Sequence, residues 1–246
     1  MSFQADRREV AVLMAAGLGS RMRPLTDTTA KPLVKVGGRP LVETVIAALE
    51  ARGVAEICVV VGYLKEQFGY LADKYPNVRL AENPDYREKN NVSSLAVAAE
   101  TMAGADCFVC EADLFIPSDR LLCRPLERSG YFGKFVRGHS DDWVFETSGG
   151  RITRVCKGGD DRFNMVGVSY FRQPDAERIA RAVAEAARRP EDAQLFWDEV
   201  VDRLCRQGLD LAVHEVRSGE IVECDTVDDL ERLEKSLGNG MSQPLT

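Results

Sequence analysis

The residues best suited to chemistry gather first in Ala15-Ala16-Gly17-Leu18-Gly19-Ser20-Arg21-Met22-Arg23-Pro24-Leu25-Thr26, followed by Lys31-Pro32-Leu33. A glycine-rich turn after a first strand bares backbone N–H groups that can wrap an anionic phosphate with no side chains in the way. Two glycines alone also suit an ordinary tight turn. Arg21 just past them and Lys31 further on add two cations, a pair that suits a triphosphate whose leaving group gains charge. Two familiar phosphate loops are excluded. A dinucleotide fingerprint needs a third glycine where Met22 stands, and a P-loop needs Gly-Lys-Ser/Thr, which the sequence lacks here.

Carboxylates form the second group. Glu111-Ala112-Asp113 ends an apolar run and sets Asp113 just past the end of a strand, where open α/β sheets bind ligands; a turn-forming role would also suit it. Asp225 lies in a segment of alternating polarity, and also suits the N-cap of a helix beginning near Val227. The two histidines, His139 and His214, are too far apart in sequence to suggest a paired site and are read as structural. Cys107 and Cys110 form a C-x-x-C within a strand pattern, so they point to opposite faces and are read as core thiols rather than zinc ligands. Both tryptophans fall in the second half, Trp143 after Asp141-Asp142 and Trp197 before Asp198.

The elements that must position these groups follow from the hydrophobic pattern. Strands are expected at 10–16, 57–61, 78–81 and 107–111, alternating with helices at 40–53, at 64–75, and from a Ser93-Ser94 cap to Ala99. Beyond about residue 130 come short strands at 131–136, 143–147, 152–155 and 165–171. Helices at 174–189 and 194–206, a strand at 211–216 and a helix at 227–237 complete the chain. The alternation predicts an α/β fold, a mixed and mostly parallel sheet flanked by helices. We expect one domain over 1–246, with a nucleotide-binding half at 1–130, an acceptor-binding pocket or lid at 131–237 and a frayed tail at 238–246.

Composition bounds the rest. With 246 residues, 45% hydrophobic, the chain can bury a sizeable core, and a net charge of -7 argues against a nucleic-acid surface. Apolar runs are strand-length rather than membrane-spanning, and the first ten residues carry no apolar leader segment. Seven scattered cysteines suit reduced thiols, so a cytoplasmic protein is expected.

The G-x-G-S-R-x-x-P-L-T run with K-P-L resembles the signature of nucleotidyltransferases that activate sugar phosphates and small alcohol phosphates with NTPs. That resemblance implies a Rossmann-like fold, a nucleotide over the glycine loop and Mg²⁺-dependent release of pyrophosphate. Arg21 and Lys31 match the positions that contact the nucleotide phosphates and the reacting phosphoryl group. Asp113 and Asp225 match the metal carboxylates, with Glu111 as a neighbour. The sugar branch carries a Gly-Thr-Ala-type segment where this chain has Lys89-Asn90-Asn91-Val92-Ser93-Ser94-Leu95, which instead resembles the bacterial CTP:phosphocholine cytidylyltransferases. The likeness continues through Val61–Phe68, Gly167–Phe171, Leu195–Asp198 and Glu223–Asp225.

By that resemblance, nucleotide contacts are expected from Ala15, Ala16, Gly17, Gly19, Ser20, Gly62, Tyr63, Asn91 and Ser94. Acceptor contacts are expected from Trp143, Tyr170, Trp197, Asp198 and Glu223, since aromatic faces and carboxylates hold a trimethylammonium. Two positions depart from the choline pattern: Gln194 replaces an acidic residue and Phe196 a tyrosine. Related enzymes that use 2-aminoethylphosphonate bind a primary amine, for which Gln194 or Asn164 would be acceptors. Both acceptors stay open, with phosphocholine the first expectation, 2-aminoethylphosphonate the second and a sugar 1-phosphate the third. A non-catalytic homologue should have lost Lys31 or Asp113. The acceptor is already anionic, so no general base is needed. Expected partners are CTP and a phosphorylated or phosphonate amine, with Mg²⁺, no nucleic acid and no membrane, in a monomer or homodimer.

Overall fold

A computed structural model describes residues 7–238. The first apolar run becomes β1 (Glu9–Ala15), and it lacks alternation because both of its faces are buried: Ala11, Leu13 and Ala15 enter one core, Val10 and Val12 the other. A small hairpin, β2 (Lys35–Val36) and β3 (Arg39–Pro40), leads into α1 (Leu41–Arg52), which starts at Pro40 and stops at a left-handed Gly53. Then follow β4 (Glu56–Val61), α2 (Gly69–Lys74), β5 (Val78–Glu82), α3 (Val92–Val97), α4 (Ala99–Met102), β6 (Asp106–Glu111) and β7 (Leu114–Phe115). The second half contains β8 (Gly130–Ser148), β9 (Arg151–Phe171), α5 (Gln173–Ala186), α6 (Trp197–Arg206), β10 (Ala212–Glu215), β11 (Val222–Glu223) and α7 (Val227–Gly238).

One seven-stranded sheet, ordered β10-β8-β9-β6-β1-β4-β5, takes strands from both halves. β6, β1, β4 and β5 run parallel, β9 runs antiparallel to its neighbours, and β10 is parallel to β8. The chain builds outward from β1 to β4 and β5, then returns to β6 on the other side of β1. That reversal opens a crevice at the C-terminal ends of β1 and β6, where the glycine loop and Asp113 lie. Cys107 and Cys110 enter opposite cores, as their strand spacing predicts.

Four expectations about elements are corrected. The four short strands at 131–171 are two long ones, because Gly138, Gly158 and Asp161 adopt positive φ within a bulged hairpin instead of breaking it. Ser93 and Ser94 lie inside α3, not at its cap; Asn83 Nδ2 donates to both hydroxyls and ties the end of β5 to the helix. The helix expected from residue 194 starts at Trp197, since Ala193 and Leu195 give their carbonyls to the backbone of Asn90 and Val92. Residues 64–75 divide into a 3₁₀ turn at Lys65–Phe68 and α2. The expected frayed tail lies outside the described residues, apart from Gly238, which ends α7.

A small third core anchors the crevice. Met22, Val34, Val36, Phe115, Cys224 and Leu233 pack together, so the neighbours of Arg21 and Asp225 are fixed against the segment that follows Lys31. Among the described residues no helix is long and apolar enough to cross a membrane.

Candidate active site

The glycine loop folds directly onto the segment that carries Lys31. Gly19 has φ 64°, and a Cβ there would stand 2.9 Å from Lys31 Cβ, so both the turn and the close approach require glycine. Thr26 Oγ1 donates to the Gly19 carbonyl at 2.8 Å. Behind the loop, a Cβ on Gly62 would come within 2.9 Å of the Ala16 carbonyl, whose oxygen accepts from the Tyr63 backbone N–H. The Tyr63 hydroxyl donates to Thr26 O (3.0 Å). Gln67 accepts from Ala30 N (3.0 Å) and donates to Thr28 O (2.8 Å). Gly62 and Tyr63 therefore brace the loop from behind and line neither of the two cavities described next. Gln67 shares that work; its side-chain amide within Val61–Phe68 was the only signal for it in the sequence.

Two adjoining cavities open over the loop. One, of about 280 Å³, lies between Ala15, Gly17, Gly19 and Ser20 on one side and Arg21, Lys31, Asp113 and Asp225 on the other. The second, of about 620 Å³, shares Gly17, Arg21, Asp113 and Asp225. It extends past Ala16, Asn91 and Ser94 to Trp143, Asp198 and Glu223. Nucleotide-side and acceptor-side expectations thus meet at the two aspartates. Neither histidine lines these cavities.

Lys31 Nζ stands 2.5 Å from Asp113 Oδ2 and 2.6 Å from Asp225 Oδ1, and Arg21 Nη2 lies 2.9 Å from that same Asp225 oxygen. Burial alone would pull the Lys31 ammonium down, but Asp113 and then Asp225 outweigh it and hold the pKa above its ordinary value. Asp225 is free for this role because Thr226 caps α7: Asp229 N donates to Thr226 Oγ1 (3.1 Å), and Thr226 N donates back to Asp229 Oδ2 (2.8 Å). Burial, then the negative charges of Asp225 and Asp113, push Glu223 up to about 8. Burial, then Asp113 and Glu223, raise Glu111 well above the carboxylate range. With Glu111 and Glu223 largely protonated at neutral pH, the charges of Asp113 and Asp225 are matched by those of Lys31 and Arg21.

On the acceptor side, Trp143 of β8 meets Phe196 edge-on, ring centres 5.5 Å apart. Trp197 does not join them. It is buried, stacks on Tyr131 at 5.7 Å and meets Phe171 edge-on, because the first turn of α6 faces the core. Tyr170 is likewise a core residue. Its hydroxyl donates to Asp106 Oδ2 (2.7 Å), at the end of β6 opposite Glu111. Gln194 turns away, donating to Glu88 O at 2.8 Å, and Asn164 Nδ2 donates to Ser140 Oγ (2.7 Å) and Asp142 Oδ2 (3.2 Å). Asn91 lines the larger cavity, but its Oδ1 accepts from Trp197 N (2.9 Å) and so tethers the start of α6. Residues not expected as contacts also line the cavity: Tyr86, Lys89, Asp141, Asp142, Lys157 and Phe196. Asp141 and Asp142 beside Trp143 were the visible signal; Lys157 depends on strand pairing.

Asp198 is buried at the cavity wall and accepts from the Tyr131 hydroxyl at 3.1 Å. Burial pushes it up from 3.8 to about 7, outweighing that hydrogen bond. The folded protein then keeps a proton that the unfolded chain releases, so stability is lost as pH rises through the window from 3.8 to about 7. Asp198→Asn is expected to remove that loss, raising the unfolding free energy at pH 8 by an amount on the order of 1–4 kcal/mol, read as a higher urea midpoint, while leaving the midpoint nearly unchanged near pH 4. Equal midpoint shifts at both pH values would refute the assignment.

Residues 11–152 match the MobA-like NTP transferase domain. The chain is 50% identical over 221 residues to the 2-aminoethylphosphonate cytidylyltransferase of Lancefieldella rimae, covering 89% of each chain. It is 34% identical to the choline-phosphate cytidylyltransferase of Streptococcus pneumoniae, covering 93% of this chain and 98% of that one. The solved CTP:phosphocholine cytidylyltransferase from Streptococcus pneumoniae superposes with a TM-score of 0.85 at 35% identity, covering 94% of this chain and 99% of that chain.

Proposed function

This chain belongs to the cytidylyltransferases of the MobA-like NTP transferase family, and on that premise we propose that it joins CTP to 2-aminoethylphosphonate and releases pyrophosphate. The acceptor follows from the charge pattern of the larger cavity. Asp141 and Asp142 line it as carboxylates, and Asp198 and Glu223, with raised pKa values, add oxygen acceptors, while the Lys157 ammonium already stands over the rings of Trp143 and Phe196. A primary ammonium donates N–H bonds to carboxylates; a trimethylammonium has none to give and needs free aromatic faces. The 50% identity to an enzyme named for the phosphonate supports the same choice. The order expected from sequence is thereby reversed. Phosphocholine becomes the second reading, favoured by the Trp143–Phe196 pair and by the likeness in sequence and structure to the choline-phosphate enzyme of Streptococcus pneumoniae.

In the proposed reaction an anionic phosphonate oxygen attacks the α-phosphorus of CTP. The new P–O bond forms as the bond to pyrophosphate breaks, and pyrophosphate departs with that electron pair. The attacking oxygen is already deprotonated, so the protein's work is positioning and charge neutralisation. Backbone N–H groups of Gly17–Ser20 receive the triphosphate, and Arg21 and Lys31 face its developing charge. The donor set fits a hard divalent ion such as Mg²⁺, held by Asp113 and Asp225. Among the described residues no three side chains of His, Cys, Asp or Glu form a closed metal cluster. That suits an ion which takes one or two carboxylates and completes its shell with phosphate and water oxygens. When bound, the ion would polarise the α-phosphoryl group and offset charge on the leaving pyrophosphate.

Pyrophosphate release by purified protein, with each NTP against 2-aminoethylphosphonate, phosphocholine and hexose 1-phosphates, tests the proposal. CTP with 2-aminoethylphosphonate is expected to lead phosphocholine by about tenfold or more in kcat/KM, about 1.4 kcal/mol. Equal or better use of phosphocholine would reject the acceptor. Equal use of UTP or GTP would reject the nucleotide.

A further inference from the structure

We infer that Lys157 sets the acceptor specificity of this site by occupying, with its own ammonium, the aromatic faces that a quaternary ammonium would need; this rests on the aminophosphonate reading above. Strand pairing fixes its place. The β8–β9 register puts Lys157 directly opposite Trp143, so the two side chains share one face of the hairpin. Lys157 Nζ stands 5.4 Å from the centre of the Trp143 ring and 5.3 Å from that of Phe196. Among the described residues it has no salt-bridge partner, so the two rings are its observed partners.

The consequence for ligands is asymmetric. An acceptor with a primary ammonium can place its N–H groups on Asp141, Asp142 or Glu223 and leave the rings to Lys157. A trimethylammonium is attracted by the carboxylates but cannot donate to them, so its close packing must come from the rings, where it has to displace a like charge. The filter is therefore a repulsive element built beside an attractive one, which is how discrimination between similar cations is obtained. Lys157 is exposed and unbranched, so it can swing aside, and the exclusion is graded rather than absolute.

Lys157→Met removes the charge and keeps the length, while Lys157→Arg keeps the charge. The ratio of kcat/KM for phosphocholine to that for 2-aminoethylphosphonate is expected to rise about tenfold or more in Lys157→Met and to stay within about threefold of the parent in Lys157→Arg. A change below about threefold in Lys157→Met, or an equal loss with both acceptors as for a lysine that binds their shared phosphoryl group, would overturn the inference. Tetramethylammonium, titrated against tryptophan fluorescence, provides a readout apart from turnover. It is expected to bind Lys157→Met about tenfold more tightly than the parent, and equal binding would also overturn the inference. If the parent protein turns over neither amine acceptor, the proposed function fails, and the tetramethylammonium titration still decides the role of Lys157.

Discussion

Lys31→Ala is expected to lower kcat for pyrophosphate release by about 10³-fold or more, while KM for CTP changes by less than about tenfold. The asymmetry comes from when the charge appears. The triphosphate is anionic throughout, but charge on the bridging and leaving oxygens grows as the bond to pyrophosphate breaks. A cation placed there stabilises the transition state more than the bound substrate. Lys31 is prepared for this before substrate arrives. It is buried, its ammonium is clamped between Asp113 (2.5 Å) and Asp225 (2.6 Å), and those carboxylates hold it protonated. Little reorganisation then remains for the reaction step. Arg21 gives a useful contrast: it reaches the same Asp225 oxygen, but its side chain is 70% exposed. Water already screens Arg21, so Arg21→Ala should cost less and act more on KM. Single-turnover kinetics with both variants separate these cases. A Lys31→Ala protein that folds and keeps kcat within about tenfold of the parent would remove Lys31 from the reacting centre.

Much of this site was legible because it depends on local order in the chain. Buried parallel strands read as unbroken apolar runs, so β1, β4 and β6 were evident. With β1 and β6 came the two ends where the glycine loop and Asp113 emerge. The turn of the loop could be read from residue types, since Gly19 takes a positive φ and packs against Lys31. What stayed hidden was long-range. Trp197 and Phe196 are adjacent in sequence, and only the direction of the first turn of α6 sends Trp197 into the Tyr131–Phe171 core and leaves Phe196 at the cavity. Tyr170 stands in a block resembling the choline enzymes, yet period-2 alternation and its register opposite Phe108 direct it to the Asp106 end of the sheet. Lys157 was invisible for a similar reason. The glycines around it look like turns, and only the bulged pairing of β8 with β9 brings it opposite Trp143.

Asp113→Asn is expected to lower kcat/KM by about 10³-fold with the fold intact, and to raise the Mg²⁺ concentration needed for half-maximal rate. The substitution keeps the shape of the side chain and removes one negative charge, so the loss reports charge rather than packing. In the parent, Glu111 and Glu223 have raised pKa values partly because Asp113 stands beside them. Neutralising Asp113 relieves that repulsion but removes the strongest partner of the buried Lys31 ammonium, so the variant should be less stable to urea without metal than the parent. Adding Mg²⁺ widens the difference: the parent should gain melting temperature and Asp113→Asn should gain far less, because only a site that binds the ion in the folded state is stabilised by it. Asp225→Asn should show the same loss of metal response and also loosen Arg21, which pairs with that carboxylate at 2.9 Å. Because Lys31 bridges both aspartates, the double variant should lose much less than the product of the single losses. Fully multiplicative losses would mean that Asp113 and Asp225 act independently, and an unchanged Mg²⁺ response in Asp113→Asn would show that this carboxylate is not a metal ligand.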